Sequence, residues 1–204
     1  MKKIILLVSL MLTLTACGGK TDTPKTNNSE APTTKEETVE ATEAAKDDKS
    51  GTVEESDIGK IEIIKQKKDI NDIYESGPMK FTIEALQIAK FTPNEDSKEM
   101  FDGKDELTVI TMQAQAENMS DDTISFYPDQ STIVTNTKEQ KTAEVFFSDE
   151  VGGDFIGKVI KKGEIFFFLD SNPDEINNLK FVIDAAHNQN LDSVGESIEF
   201  NYDI

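Results

Sequence analysis

Between Met79 and Glu117 apolar and polar residues alternate with a period of two, and this constrains the fold more than any other feature of the chain. Met79, Phe81, Ile83 and Ala85 are separated by Lys80, Thr82 and Glu84. Successive side chains of a strand point to opposite faces, so the pattern reads as a half-buried strand. Leu86 and Ile88 continue the apolar series on the opposite parity, which calls for a bulge or bend near Ala85-Leu86. Glu106 to Glu117 predicts the longest strand. Ile110, Met112, Ala114 and Ala116 share one face; Thr111, Gln113, Gln115 and Glu117 share the other. Leu107 and Val109 are apolar on that second face, so the beginning of this strand is expected to be covered on both sides.

The remainder of residues 57–204 follows the same rule. Short strands are predicted at Lys60–Lys65, Thr123–Tyr127, Ser131–Asn136, Thr142–Phe147, Phe155–Ile160, Glu164–Asp170, Leu179–Asp184 and Ser197–Tyr202. Polar or Gly/Pro-containing connections separate them. Lys67–Glu75 is a polar link ending at Gly77-Pro78, Thr92–Lys104 is a loop, and Asn118–Asp122 is a hairpin-like turn. Thr137–Lys141 and Lys162-Gly163 are turns, Ser148–Asp154 is an acidic Gly-Gly loop, and Ser171–Asn178 is a loop with one helical turn after Pro173. No helix longer than about two turns is expected. Many short strands between turn signals point to an all-β, immunoglobulin-like antiparallel β-sandwich, built as one domain of 148 residues.

Phe166-Phe167-Phe168 departs from simple alternation. Ile165, Phe167 and Leu169 form one wholly apolar face and belong to the core. Phe166 and Phe168 then point the other way, between Glu164 and Asp170. Either a covering element, such as the Lys60–Lys65 strand or a loop, lies over them, or they form an exposed partner-binding patch.

The N-terminus has a different character. Lys2 and Lys3 precede an eleven-residue apolar run, Ile4–Leu14. That is well short of the roughly 20 residues a membrane-spanning helix needs, and it matches a secretory signal segment. Small residues, Thr15 and Ala16, then precede Cys17, the single cysteine of the chain. Leu14-Thr15-Ala16-Cys17 resembles the lipobox of bacterial lipoproteins. The resemblance implies cleavage between Ala16 and Cys17, and a diacylglyceryl group on the Cys17 thiol that holds the protein on the outer face of the cell membrane. Two acyl chains anchor far better than one. The alternatives are an ordinary signal peptide cut after Ala16 with a free Cys17, or a short buried helix. With Cys17 acylated no thiol is left for a disulfide, so the domain must be stable through its core.

Residues 18–56 read as a disordered tether. Thr, Glu, Lys, Asp, Ser, Pro and Ala dominate, and Val39 and Val53 are the only larger apolar side chains. As a random coil this segment reaches roughly 30–40 Å. The domain organisation is therefore a signal peptide (1–16), a lipidated cysteine with an acidic, Thr-rich tether (17–56), and a sandwich domain (57–204).

The formal charge is −19, and removal of Lys2 and Lys3 with the signal segment takes it to −21. There is no arginine and no tryptophan. A chain with no clustered basic face is not built to displace counterions from nucleic acid, nor to dock its domain on an anionic membrane.

At the level of the domain, three stretches resemble the immunoglobulin-like extracellular domain of Gram-positive lipoproteins known as DUF4352. They are LTVITMQAQAENMSDDTISF (Leu107–Phe126), Lys162-Gly163-Glu164 running into IFFFLD, and the closing Leu179–Asp184 with Glu199–Tyr202. The resemblance spans about residues 78–204. It implies a seven-to-nine-stranded extracellular sandwich and supplies no catalytic residues. The disulfide pinned on tryptophan that antibody domains carry is missing here.

No catalytic constellation is expected. His187 is the single histidine and falls in a polar loop, with no cysteine to accompany it. No Gly-x-Ser-x-Gly elbow, phosphate-binding loop or dinucleotide fingerprint is present. Asp149, Glu150 and Asp154, around Gly152-Gly153, are the best candidates for a weak Ca²⁺ site, because hard oxygens on a turning loop suit calcium. The other reading is a solvated acidic loop. Asn118-Met119-Ser120 has the form of a glycosylation sequon, but turn chemistry accounts for it better. The expectation is a non-enzymatic, lipid-anchored domain that binds a protein or other partner in the cell envelope. The alternative is an accessory lipoprotein that binds a small molecule or a divalent ion.

Overall fold

The computed structural model describes residues 51–204. The signal segment, the Ala16–Cys17 cleavage and lipidation site, and the tether up to residue 50 lie outside the described residues.

Thirteen strands make up almost all of the regular structure. β1 (Val53–Ser56), β2 (Gly59–Lys67), β3 (Asp72–Ser76), β4 (Met79–Pro93) and β5 (Leu107–Asn118) come first. β6 (Thr123–Phe126), β7 (Thr132–Thr135), β8 (Gln140–Thr142) and β9 (Gly153–Ile156) follow. β10 (Ile160–Leu169), β11 (Asn178–Ile183), β12 (His187–Asn188) and β13 (Ile198–Asp203) close the chain. Three single-turn 3₁₀ helices, Lys98–Phe101, Pro128–Gln130 and Pro173–Glu175, are the only helical elements among the described residues.

All strand pairs are antiparallel. One sheet runs β1-β2-β4-β5-β10, and β3 continues the β2 side along the first half of the long β4. Facing it are a four-stranded sheet, β13-β11-β7-β8, and a three-stranded one, β12-β6-β9. The expected all-β antiparallel sandwich is the fold observed.

The alternation explains the packing. Met79, Phe81 and Ile83 point into the core, and the register of β4 on β5 slips between Ile83 and Ala85. The bulge hands the inward face to Leu86 and Ile88, which are fully buried opposite Met112 and Ile110. Phe167 meets Phe181 of the opposing sheet edge to face at 5.8 Å, and Phe81 meets Phe126 at 6.3 Å.

Several expected connections are corrected. Asn118–Asp122 does not close a hairpin: β6 pairs with β9 and β12, not with β5, so the chain crosses between sheets here. Lys162-Gly163 is not a turn but lies inside β10, paired with Gln115 and Ala114. A side chain at position 163 would collide with Asp149, which is why glycine sits in mid-strand. The polar link after Lys67 contains β3, and β4, at 15 residues, is longer than β5. The tether ends earlier than expected, since Val53–Ser56 pairs with β2 from Val53↔Glu62 to Ser56↔Gly59.

Candidate functional site

The outward face of the large sheet is apolar at one end. Ile61, Ile63, Ala89, Phe91, Leu107, Val109 and Phe166 are all buried there, as the reading of Leu107 and Val109 anticipated. Phe166 is 4% exposed and Phe168 is half-buried, so the exposed patch considered for these two residues is not formed. The cover is made by two loops and not by the first strand. Phe101, from the 3₁₀ turn after β4, packs edge to face on Phe91 at 5.0 Å and on Phe168 at 5.4 Å. Phe147, from the segment after β8, packs on Phe168 at 4.9 Å and stacks on Phe101 at 5.4 Å.

The segment carrying Phe147 was expected to be a strand. Residues 144–149 instead form a turn strapped along the outer edge of β10. The Glu144 N–H donates to the Phe166 carbonyl at 2.8 Å, and the Asp149 N–H donates to the Glu164 carbonyl at 2.9 Å. The Ser148 hydroxyl accepts from the Phe166 N–H at 3.0 Å and donates to the Glu144 carbonyl at 2.9 Å. Asp149 Oδ2 accepts from the Glu164 N–H at 2.9 Å. The strap thereby occupies backbone groups that an open sheet edge would present. The Phe147 and Ser148 amides both return to the Glu144 carbonyl. This tight turn sends Phe147 inward and Val145 and Phe146 outward.

Phe146 is 79% exposed and Val145 55%, and Met100, beside Phe101 on the neighbouring loop, is 44% exposed. Each apolar run is bracketed by acids: Glu99 and Asp102 around Met100-Phe101, Glu144 and Asp149 around Val145-Phe146-Phe147-Ser148. None of these four carboxylates has a lysine partner among the described residues. The lysines of this end are engaged elsewhere, Lys98 with Glu95 and Asp105, Lys104 with Asp170. Behind the strap, burial and the neighbouring Asp149 and Glu54 carboxylates push Glu164 up to about 7.

Asp149, Glu150 and Asp154 do not come together as a calcium site. Asp149 is bound to the Glu164 amide, Glu150 pairs with Lys161 at 3.2 Å, and Asp154 accepts from the Ser125 hydroxyl at 2.6 Å. No group of three His, Cys, Asp or Glu side chains among the described residues could hold a metal ion. Beneath this loop Asp129 packs against Gly152, and burial raises its carboxyl above the usual range. His187 is half-buried in β12 and not in an open loop; its Nε2 lies 3.3 Å from the Ser193 hydroxyl. Asn118 is buried and holds the turn after β5, donating to the Asp122 and Phe155 carbonyls and accepting from Ser120.

Val145-Phe146-Phe147 reads as strand in the sequence, and local patterning does not separate this turn from a strand: adjacent phenylalanines also lie inside β10, at Phe166-Phe167-Phe168.

No family model matches the chain. It is 23% identical over 132 residues to the SPbeta prophage-derived uncharacterized lipoprotein YonS of Bacillus subtilis (strain 168), an alignment covering 63% of this chain and 59% of that relative. The chain thus spans less than two thirds of the relative's length. Among solved structures, a functionally unknown protein from Listeria monocytogenes EGD-e shares the fold with a TM-score of 0.56 at 12% identity, over 72% of this chain and 88% of that one. The likeness to YonS supports the reading of the chain as a bacterial lipoprotein.

Proposed function

We propose that this is a lipid-anchored protein of the outer face of the cell membrane, of the DUF4352 type, that displays its sandwich to bind a protein partner in the envelope. It is not an enzyme. The anchor rests on the Leu14-Thr15-Ala16-Cys17 pattern and on the likeness to a lipoprotein. The binding role rests on one observation: Phe146 stands in solvent on a turn hydrogen-bonded to β10 at both ends. Leaving a phenylalanine out of the core forgoes about 1.5–3 kcal/mol of burial, and fixing it on a pinned turn lowers the ordering cost of engaging a partner. The ion-carrier alternative draws no support from the acidic loop, whose carboxylates already have separate partners.

The test is chemical crosslinking of the anchored protein on intact cells, followed by purification and quantitative mass spectrometry. A soluble Cys17→Ser form serves as the control. Reproducible enrichment of particular surface proteins is expected. Enrichment of none over the control would overturn the reading.

A further inference from the structure

Within that reading, we propose that the turn around Phe146 and the adjoining Met100 loop form a docking surface for a cationic protein segment, one that presents an apolar side chain between lysines or arginines. The proposal names the partner chemistry of the binding role given above and rests on that role.

Three observations carry it. The surface has an apolar centre, Met100, Val145 and Phe146, whose neighbours Phe101, Phe147 and Phe168 form a rigid aromatic base beneath it. Hot spots of protein interfaces are aromatic anchors of this kind, seated on packed supports. The bracketing residues are acidic: Glu99, Asp102, Glu144 and Asp149 flank the apolar residues in sequence with no lysine partner among the described residues, while Lys98 and Lys104 of the same loop are paired with Glu95, Asp105 and Asp170. The whole chain carries a formal charge of −19, so its long-range field draws in cationic partners and repels an anionic bilayer. An apolar centre selects an apolar side chain, and the acidic rim selects basic flanks on either side of it. The same charge makes the other occupants of an apolar patch unsuitable. A second copy would bring rim against rim, and an anionic lipid surface would face the same repulsion.

Two experiments test this with the full chain. In the first, the protein is held in non-ionic detergent micelles and titrated with a fluorescent peptide containing one phenylalanine flanked on each side by lysines. Saturable binding is expected. It should weaken about tenfold or more in Phe146→Ser and in the double variant Glu99→Lys/Glu144→Lys. It should weaken several-fold as salt rises from about 50 to about 300 mM. Peptides with alanine for the phenylalanine, or glutamates for the lysines, should bind about tenfold more weakly or worse. Unchanged melting temperatures establish that the variants are folded. Absence of saturable binding, equal binding of the glutamate peptide, or insensitivity to both variants overturns the proposal. So does Phe146-dependent adhesion of the full chain to phosphatidylglycerol-rich vesicles over phosphatidylcholine ones.

In the second, a photoreactive phenylalanine is placed at position 146, or at position 201 on the other sheet, and irradiated on intact cells. Crosslinks from position 146 should map to segments with an apolar residue between basic ones. Crosslinks from position 201 alone would sink this surface and leave the general binding role standing. Crosslinks from neither position would count against both.

Discussion

Phe146 and Phe147 lie next to each other with ring centroids 5.2 Å apart and planes at 83°, yet they belong to different environments. Phe147 closes the aromatic cluster of Phe101 and Phe168, and Phe146 is 79% exposed. One turn therefore supplies both a structural contact and a free side chain. The two roles separate by mutation. Phe147→Ala should destabilise the domain by about 2–3 kcal/mol, the range of a partly collapsing aromatic cavity. Phe146→Ser should leave stability within about 0.5 kcal/mol. Urea unfolding followed by circular dichroism measures both, and equal effects would mean the strap does not hold these rings as described.

Glu164 makes stability depend on pH near neutrality. Its folded value, about 7, lies above its ordinary 4.5 because of burial and the facing carboxylates Asp149 and Glu54. Between those values the folded chain holds a proton that the unfolded chain has released. Stability is therefore highest toward the acid end of that window and falls as pH rises through about 7. Discounted for the solvent that still reaches the group, the effect is about 1–2 kcal/mol. Asp129, also raised by burial, acts in the same direction. Asp170, lowered by Lys104 above all, acts oppositely and at lower pH. Glu139, lowered because hydrogen bonds from Asp170 and Ser171 outweigh its burial, does the same. The wild type should melt higher at pH 5.5 than at pH 7.5, and Glu164→Gln should flatten most of that difference. An unchanged slope in the variant would assign the effect to another group.

Gly195 marks a contact between distant parts of the chain. A Cβ there would collide with the Gly77 nitrogen and with Ser76. Ser76, fully buried, donates to the Glu196 carbonyl at 2.7 Å and accepts from the Ala186 amide at 2.9 Å. These bonds fasten the segments before and after β12 to the end of β3. Backbone atoms cannot move aside as a flexible side chain can, so Gly195→Ala should cost about 2–4 kcal/mol. Thermal melting of the variant is the check. A loss below about 0.5 kcal/mol would show that the loop can lift away.

The sandwich was legible because burial on one face imposes a period of two, and it held at the two places where it looked anomalous. The parity switch after Ala85 is the bulge at Ile83/Ala85, and the doubly apolar start of β5 is the doubly covered Leu107 and Val109. What escaped depends on long-range context. Asn118–Asp122 has the same turn chemistry whether the chain returns beside its own strand or crosses to another sheet. Gly163 reads as a turn until Asp149 is known to lie against it. The cover over Phe166 and Phe168 comes from loops after β4 and β8, distant in sequence from β10, and local patterning could not say which would reach them. The phenylalanine that stands in solvent along this edge is Phe146 of the strap, and not Phe166 or Phe168 of β10.

The boundary of the domain offers the last test. Val53–Ser56 alternates too briefly to stand out from the acidic segment before it, yet β1 pairs with β2 over four residues, and the Ile63 amide donates to the Thr52 carbonyl at 2.9 Å. β1 shields the outer edge of β2, which carries the buried Ile61 and Ile63. A form beginning at Gly51 should keep the melting temperature of the full chain. A form beginning at Asp57, where the tether was first expected to end, should lose the β1 ladder and expose an edge strand with an apolar face. That form should melt several degrees lower, by about 4–8 °C for each kcal/mol lost, and should self-associate at high concentration through the unpaired edge. Calorimetry and light scattering on the two forms separate these outcomes. Identical melting and a monodisperse second form would return the domain boundary to Asp57.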